Sequence, residues 1–350
     1  MLFSKKTKGF FVEMNESSAL FARTSSPVGA MEVEELWECP LGDQPAIADI
    51  VKRMQPRTPP SGYLHSVVGV YPPKRMIRKH TLELKKLKEP AYMTDLFTQQ
   101  LRVEQDKFTV AMLNATDGTD YDLAKANQKE VIFCGASNDE IKAVQDSLLA
   151  DRIFPERLEL GTVASLGALV DFLTFEGSKT PTLVLDVGNE TTHSFILSSA
   201  GVEASRPIPQ GLDAMVPVVQ KELGLKDEES ARKLFRSNTF DFTGMGPLLI
   251  KRLLKELQSS IGFYEVQTGQ SVSQVVCIQL SPKLSWLEGA IASSLGITPL
   301  KFDPVPWLRS RKVTVPDSLA KTAGDSKWFG LLSLMVQYTS ENGTHAEEKK

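Results

Sequence analysis

One hydrophobic pattern occurs twice along the chain. Gly9-Phe10-Phe11-Val12-Glu13-Met14 is a mostly apolar run, Asn15-Glu16-Ser17-Ser18 is a polar break, and Ala19-Leu20-Phe21-Ala22 is apolar again. A second break at Ser25-Ser26-Pro27-Val28-Gly29 precedes another strand-like run. The order recurs past the midpoint. Thr182-Leu183-Val184-Leu185-Asp186-Val187 leads through Gly188-Asn189-Glu190-Thr191-Thr192 into Ser194-Phe195-Ile196-Leu197, then a turn at Ser199-Ala200-Gly201. Glu13 to Asp186 and Asn15 to Gly188 are each 173 positions, and Gly29 to Gly201 is 172. Each copy predicts strand, tight turn, strand, turn, strand, then an amphipathic helix. A duplicated unit predicts two similar lobes, and a cleft between lobes is a common place for function.

Helical spacing follows each copy. Ile47, Ile50, Val51 and Met54 recur at the helix period after the first. Leu212, Met215, Val216, Val219 and Leu223 do so after the second, with Gly224 as the stop and Pro217 placed to kink this helix or sit in its first turns. Between the copies, residues 62–158 read as an inserted small α+β subdomain. Its strands are expected at Ser66–Tyr71, Phe108–Leu113 and Val131–Cys134, its helix at Asn138–Leu149, and an exposed loop at Ala115–Lys129. In the second half, Ile250, Leu253, Leu254, Leu257, Ile261 and Tyr264 mark a long helix, Val275–Leu280 a buried strand and Trp286–Leu295 a helix. Trp328, Leu331, Leu332, Met335 and Val336 mark a last helix, and residues 339–350 read as a disordered tail. The first lobe is expected over 1–175, completed by a C-terminal helix near 325–338, and the second lobe over 180–320.

Composition narrows the class. A chain of 350 residues, 41% hydrophobic and 24% charged, suits two lobes of a soluble protein. A net charge of −3 gives no reason to expect nucleic-acid binding. The basic run Lys74, Arg75, Arg78, Lys79, Lys85, Lys86 and Lys88 reads as a solvated face, with docking to acidic lipid or protein as the other reading. Cys39, Cys134 and Cys277 are odd in number and far apart, which suits buried thiols in a reducing compartment. No apolar run approaches the ~20 residues of a membrane span, and Lys5 and Lys6 precede the first strand without a signal core. A cytoplasmic location is the expectation.

The second copy carries the better chemistry. An apolar strand ending in Asp186-Val187-Gly188, followed by paired hydroxyls at Thr191 and Thr192, suits a phosphate cradle. Gly188 would admit positive φ, and Asp186 would hold Mg²⁺ through water. A plain β-hairpin is the competing reading, since Gly-Asn is an ordinary hairpin pair. His65, His80, His193 and His345 lack ligand-like spacing, and neither a Gly-x-Ser-x-Gly elbow nor a Walker loop occurs.

Together these features resemble the actin, Hsp70 and sugar-kinase superfamily, and more specifically the PilM family of type IV pilus assembly proteins, cytoplasmic actin-like relatives of FtsA. The resemblance spans roughly residues 9–338. It rests on order and on three segments: Leu183–Gly188, Arg206-Pro207-Ile208-Pro209-Gln210-Gly211, and Glu256–Tyr264. It implies an α/β, actin-like two-lobe fold with a small α+β subdomain in the first lobe. It also implies an interlobe nucleotide site for ATP and Mg²⁺, with phosphate-side contacts at Asp186, Gly188, Asn189, Thr191 and Thr192 and first-lobe contacts at Glu13, Asn15 and Ser17. Arg232 and Lys233 would lie on the nucleoside side, where a solvated helix face is the competing reading.

Two positions depart from the family's nucleotide pattern. Asn15, followed by the anion Glu16, stands where a small residue is common, and Gln279-Leu280-Ser281-Pro282-Lys283 stands where the family places a Gly-Gly pair. Asn can reach the left-handed conformation, but Glu16 would repel a phosphate. Hydrolysis is therefore not expected. The resemblance implies a pilus or secretion scaffold that captures the short cytoplasmic tail of a single-pass inner-membrane partner resembling PilN. Pilus motor ATPases and self-association are further partner expectations. An ATP-dependent kinase or ATPase is the alternative. An FtsA-like membrane tether would need an apolar face in Gly343–Lys350, and that segment has none.

Overall fold

The computed structural model of the chain describes residues 7–56, 62–125, 127–237 and 239–339. It divides into two compact units, residues 1–172 with 303–350 and residues 173–302.

The first unit begins with three antiparallel strands, β1 (Gly9–Met14), β2 (Ser18–Thr24) and β3 (Met31–Pro40). Helix α1 (Gln44–Met54) crosses over to β4 (Leu64–Val70), which pairs parallel with β1. Asp43 caps α1 by accepting the Ala46 N–H, and Ile47, Ile50, Val51 and Met54 form its buried stripe. Strands β5 (Met76–Thr81), β6 (Phe108–Asn114) and β7 (Glu130–Ser137) make a separate sheet in the order β5-β7-β6. Helix α2 (Pro90–Asp95) and a π-helical turn at Leu96–Leu101 cover one face, burying Leu96 and Leu101 on Met76, Val131 and Phe133. Helix α3 (Asn138–Ala150) leads to β8 (Ile153–Leu160), which pairs parallel with β4, and helix α4 (Gly161–Phe175) follows. The insert is therefore narrower than 62–158, because β4 and β8 belong to the larger sheet. The expected loop at 115–129 folds back on its own strand, with the Tyr121 N–H donated to the Met112 carbonyl and the Asn114 N–H to that of Thr119.

The second unit repeats the plan. β9 (Thr182–Val187), β10 (Thr192–Ser198) and β11 (Gly201–Ile208) are antiparallel neighbours. Helices α5 (Val216–Glu222), α6 (Glu228–Phe235), α7 (Gly246–Leu249) and α8 (Lys251–Thr268) precede β12 (Gln274–Ile278), which pairs parallel with β9. Pro217 lies in the first turn of α5, where its missing N–H costs nothing. Gly269 ends α8 with φ of 69°, the left-handed cap that glycine adopts without strain. Helix α9 (Trp286–Leu295) and β13 (Thr298–Pro299) complete the order β11-β10-β9-β12-β13. The first unit has the same order over β3-β2-β1-β4-β8. The repeat in sequence is thus a repeat in topology.

Glu288 on α9 accepts the N–H of Cys277 at 2.7 Å, closing the part of β12 beyond its short pairing with β13. Burial raises its carboxyl above the usual range, with the Cys277 N–H opposing. A raised carboxyl pKa favours the folded state below about pH 4.5 and loses that contribution as pH rises through the folded value. Glu288→Gln keeps an acceptor for Cys277 without the charge. The expected result is a variant more stable than the parent at pH 7, with the difference shrinking toward pH 4.5 in urea unfolding series.

The chain returns to the first unit at Asp303, earlier than the expected boundary at 320. Helix α10 (Pro304–Ser310), β14 (Val313–Thr314), α11 (Asp317–Ala323) and α12 (Phe329–Gln337) form this return. Asp303 caps α10, and β14 joins the first sheet beside β3. Trp307 is fully buried, donates to Asp171 at 2.7 Å and meets Phe172 edge-on. Helix α12 buries Leu331, Leu332, Leu334 and Met335, and Leu334 fills the space that Gly69 on β4 leaves open. Tyr338 fixes its end: its carbonyl accepts the Gly29 N–H and its phenol donates to Glu159 at 2.9 Å. Cys39, Cys134 and Cys277 are buried and free, and burial pushes the Cys134 thiol up to about 12. Among the described residues no helix is long and apolar enough to cross a membrane. The tail 340–350, including Gly343–Lys350, lies outside the described residues.

Candidate functional site

The two strand-ending acids occupy equivalent places within their own units. Glu13 pairs with Leu20 on β2 and Gly69 on β4, while Asp186 pairs with His193 on β10 and Ile278 on β12. Both are buried, at 0% and 2% exposure. A four-residue loop separates the last paired residues in each hairpin, Met14 from Ala19 and Val187 from Thr192. The two turns differ in how their polar groups are used.

In the first unit the turn closes on itself. The Asn15 Oδ1 accepts the backbone N–H of Ser17 at 3.0 Å, the Ser17 hydroxyl at 3.2 Å and the backbone N–H of Ser18 at 2.8 Å. The Asn15 N–H is donated to the Ser18 carbonyl at 3.1 Å. This is an Asx turn, which occupies the donors that a phosphate would need. Asn15 does not adopt positive φ. Glu16 is exposed on the rim, where its charge repels anions. Glu13 accepts the Tyr71 phenol at 3.1 Å.

Nothing in the sequence assigns Tyr71 or Arg75 to this corner, yet both are built into it. Tyr71 directly follows β4, the parallel neighbour of β1, so its ring reaches the end of β1 and lies over Gly161, where a Cβ would come within 2.2 Å of its Cζ. The Arg75 guanidinium is buried, stacks 5.6 Å from the Tyr71 ring centroid and donates to the Thr162 hydroxyl at 3.0 Å. The rest of the basic run is also engaged in part. Arg78 donates to the carbonyls of Gln100 and Leu101, Lys79 pairs with Glu130 at 2.8 Å, and Lys86 pairs with Glu83.

In the second unit the turn is tied to the segment after β11. The Gly188 N–H is donated to the Thr191 carbonyl, and the carbonyls of Gly188 and Asn189 accept the N–H groups of Leu212 and Asp213 at 3.0 and 2.9 Å. Gly188 is not among the glycines with positive φ, so the expected left-handed backbone does not explain a glycine there. Gly211 is the residue the turn requires, because a Cβ there would lie 2.3 Å from the Asn189 carbonyl oxygen and 2.5 Å from that of Gly188. Thr192 is fully buried and donates its hydroxyl to the Gln210 carbonyl at 2.6 Å, so it points into the fold. Thr191 is half-buried.

A charged cluster lies over this second turn. Arg236 donates to the Asn189 Oδ1 at 2.9 Å and lies 3.4 Å from Asp213 Oδ1. Arg232 pairs with Asp213 and with Glu228, and Lys233 pairs with Glu229, which is the ion-paired helix face that competes with a nucleoside role. Arg236 is not singled out by any motif, although Glu228, Arg232 and Arg236 recur every four residues on one face of α6 and its end. Past β12, Gln279 has φ of 60°, a left-handed backbone that favours glycine, within the segment that stands in place of the family's Gly-Gly pair. His193 is buried in β10 and stacks on Phe195. Among the described residues no group of three or more His, Cys, Asp or Glu side chains is placed to hold a metal ion.

No family model and no curated protein matches the chain. Its fold, however, matches solved structures. A chain of the PilM-PilN type IV pilus biogenesis complex aligns over 96% of this chain and 99% of its own length, with a TM-score of 0.66 and 17% identity. The ethanolamine utilization protein EutJ from Carboxydothermus hydrogenoformans aligns with a TM-score of 0.46 and 11% identity, over 95% of this chain and 90% of its own. A Bacteroides thetaiotaomicron protein with an actin-like ATPase fold aligns at 0.44 and 7% identity, over 95% and 98%. The chain therefore has the actin-like fold and is similar in structure to the chain from the pilus complex.

Proposed function

We propose that this chain is an actin-like scaffold of a type IV pilus or related secretion machine. It captures the short cytoplasmic tail of a single-pass inner-membrane assembly protein resembling PilN. The observation that carries this reading is the near end-to-end structural match to a chain of the PilM-PilN complex. Such a tail would hold the protein on the cytoplasmic side of the inner membrane.

The three-stranded sheet offers a backbone edge for it. β6 is an outer strand, and the chain's own 119–121 segment covers it only over Met112–Asn114. An extended tail can continue that pairing along Phe108–Ala111, with alternate side chains resting on the half-buried Phe108, Val110 and Met112.

Nucleotide chemistry is not required by this reading. Asp186 lies near the end of β9, and Gly188, Asn189 and Thr191 lie on the turn that follows, where a phosphate of Mg-ATP could be held and Asp186 could carry the cation through water. The first turn does not suit a phosphate, because the Asn15 side chain occupies the Ser17 and Ser18 donors and Glu16 adds a negative charge. Gln279 replaces the close backbone approach that adenosine packing needs.

Affinity capture tests the proposal. The immobilised cytoplasmic tail of a pilus inner-membrane protein should retain the full chain and should not retain it when the tail sequence is scrambled. Failure of capture, together with ATP turnover that depends on Asp186, would replace the scaffold reading with an enzymatic one.

A further inference from the structure

Helix α8 buries Leu253, Leu257 and Tyr264 on one side. At 3.6 residues per turn, Lys251, Arg252, Lys255, Gly262, Phe263 and Val266 share the opposite face. Phe263 is 66% exposed and Val266 88%, and Leu248, one turn before the helix, is 42% exposed. No atom lies within 4 Å of the Cβ position at Gly262, so the ridge is open beside Phe263. The two acids of α8 lie on the borders of this face and are engaged, Glu256 with Arg206 and Glu265 with the Val272 N–H. Among the described residues Lys251, Arg252 and Lys255 have no ion-pair partner.

Three uncompensated cations beside two protruding apolar side chains form an acid-free ridge about 22 Å long from Lys251 to Val266. We propose that this ridge docks on an anionic lipid surface. Phe263 and Val266 enter the boundary between headgroups and acyl chains, and Lys251, Arg252 and Lys255 meet the lipid phosphates. Charge complementarity selects an anionic occupant. Convexity selects a lipid surface, which deforms around a ridge, whereas a protein partner would have to supply a matching groove. The net charge of −3 does not oppose docking, because charges farther than about 8 Å from the lipid are screened at physiological salt. This inference stands apart from tail capture, since it concerns the lipid itself.

Vesicle co-sedimentation of the full chain tests it. Vesicles of phosphatidylcholine with phosphatidylglycerol should bind the protein at low salt and release it at high salt, and phosphatidylcholine alone should not bind it. Reversing all three cations (Lys251→Glu, Arg252→Glu and Lys255→Glu) should weaken partitioning on the order of 100-fold, at roughly one factor of five per cation. Phe263→Trp, an exposed substitution, should show blue-shifted emission on anionic vesicles only. Absence of binding at low salt, binding unchanged by the triple reversal, no emission shift in the Phe263→Trp variant, or capture of an acidic soluble peptide without any vesicle binding would each overturn the proposal.

Discussion

Gly211→Ala is expected to destabilise the second unit by about 3 kcal/mol or more, among the larger costs of inserting a single methyl group. The added carbon would sit 2.3 Å from the Asn189 carbonyl oxygen and 2.5 Å from the Gly188 carbonyl oxygen. Both contacts are backbone, so no side chain can swing aside. The turn would have to move, breaking the bonds from the Leu212 and Asp213 N–H groups to those same carbonyls. Arg236 would lose its place over Asn189 as a result. Denaturant unfolding of the parent and the variant measures the cost. A change below about 1 kcal/mol would mean that the 188–191 turn is not held by the segment after β11.

Trp307→Ala is expected to cost about 3 to 5 kcal/mol, the range for truncating a large, fully buried aromatic side chain. Trp307 contributes its packing against Phe172 and its N–H to Asp171. Asp171 also accepts Arg311 Nε at 2.6 Å, so the variant leaves that ion pair next to a cavity. Because Trp307 ties α10 to α4, the loss should fall on the first unit. Hydrogen exchange should rise in α4, α10 and β14 while β9 and β12 keep their protection. Equal loss of protection in all five would show that the effect is global rather than local.

Much of this architecture was legible because the polar breaks are sharp. Asn15–Ser18 and Gly188–Thr191 interrupt runs that are otherwise apolar, and each became a hairpin with the same loop length. The helices α1, α3 and α8 were visible for a related reason, since each carries apolar residues on one side at the helix period. Strand β8 was not visible. As the outer strand of its sheet it carries Pro155, Glu156 and Arg157, whose polarity reads as loop. The boundary at 158 follows from that polarity, and the boundary at 62 from counting β4 among the insert's own strands. The return at Asp303 was hidden because an N-cap followed by proline looks alike wherever the helix later docks.

The site was legible in its acids and its turns but not in how the turns are satisfied. That Asn15 would cap its own loop, rather than leave donors for an anion, depends on a rotamer that sequence does not specify. Thr192 points inward because its partner, the Gln210 carbonyl, arrives just past the end of the neighbouring strand β11. Tyr71 reaches Glu13, 58 positions away, only because β4 runs parallel to β1.

The scaffold reading holds that the chain recognises a peptide and does not rely on nucleotide turnover. Calorimetric titration of the full chain with the cytoplasmic tail peptide of a pilus inner-membrane protein tests this most directly, with and without Mg-ATP and with Asp186→Ala as a companion. Saturable one-to-one tail binding that survives Asp186→Ala is the predicted result. Silence with the tail, alongside tight Mg-ATP binding that Asp186→Ala abolishes, would contradict it.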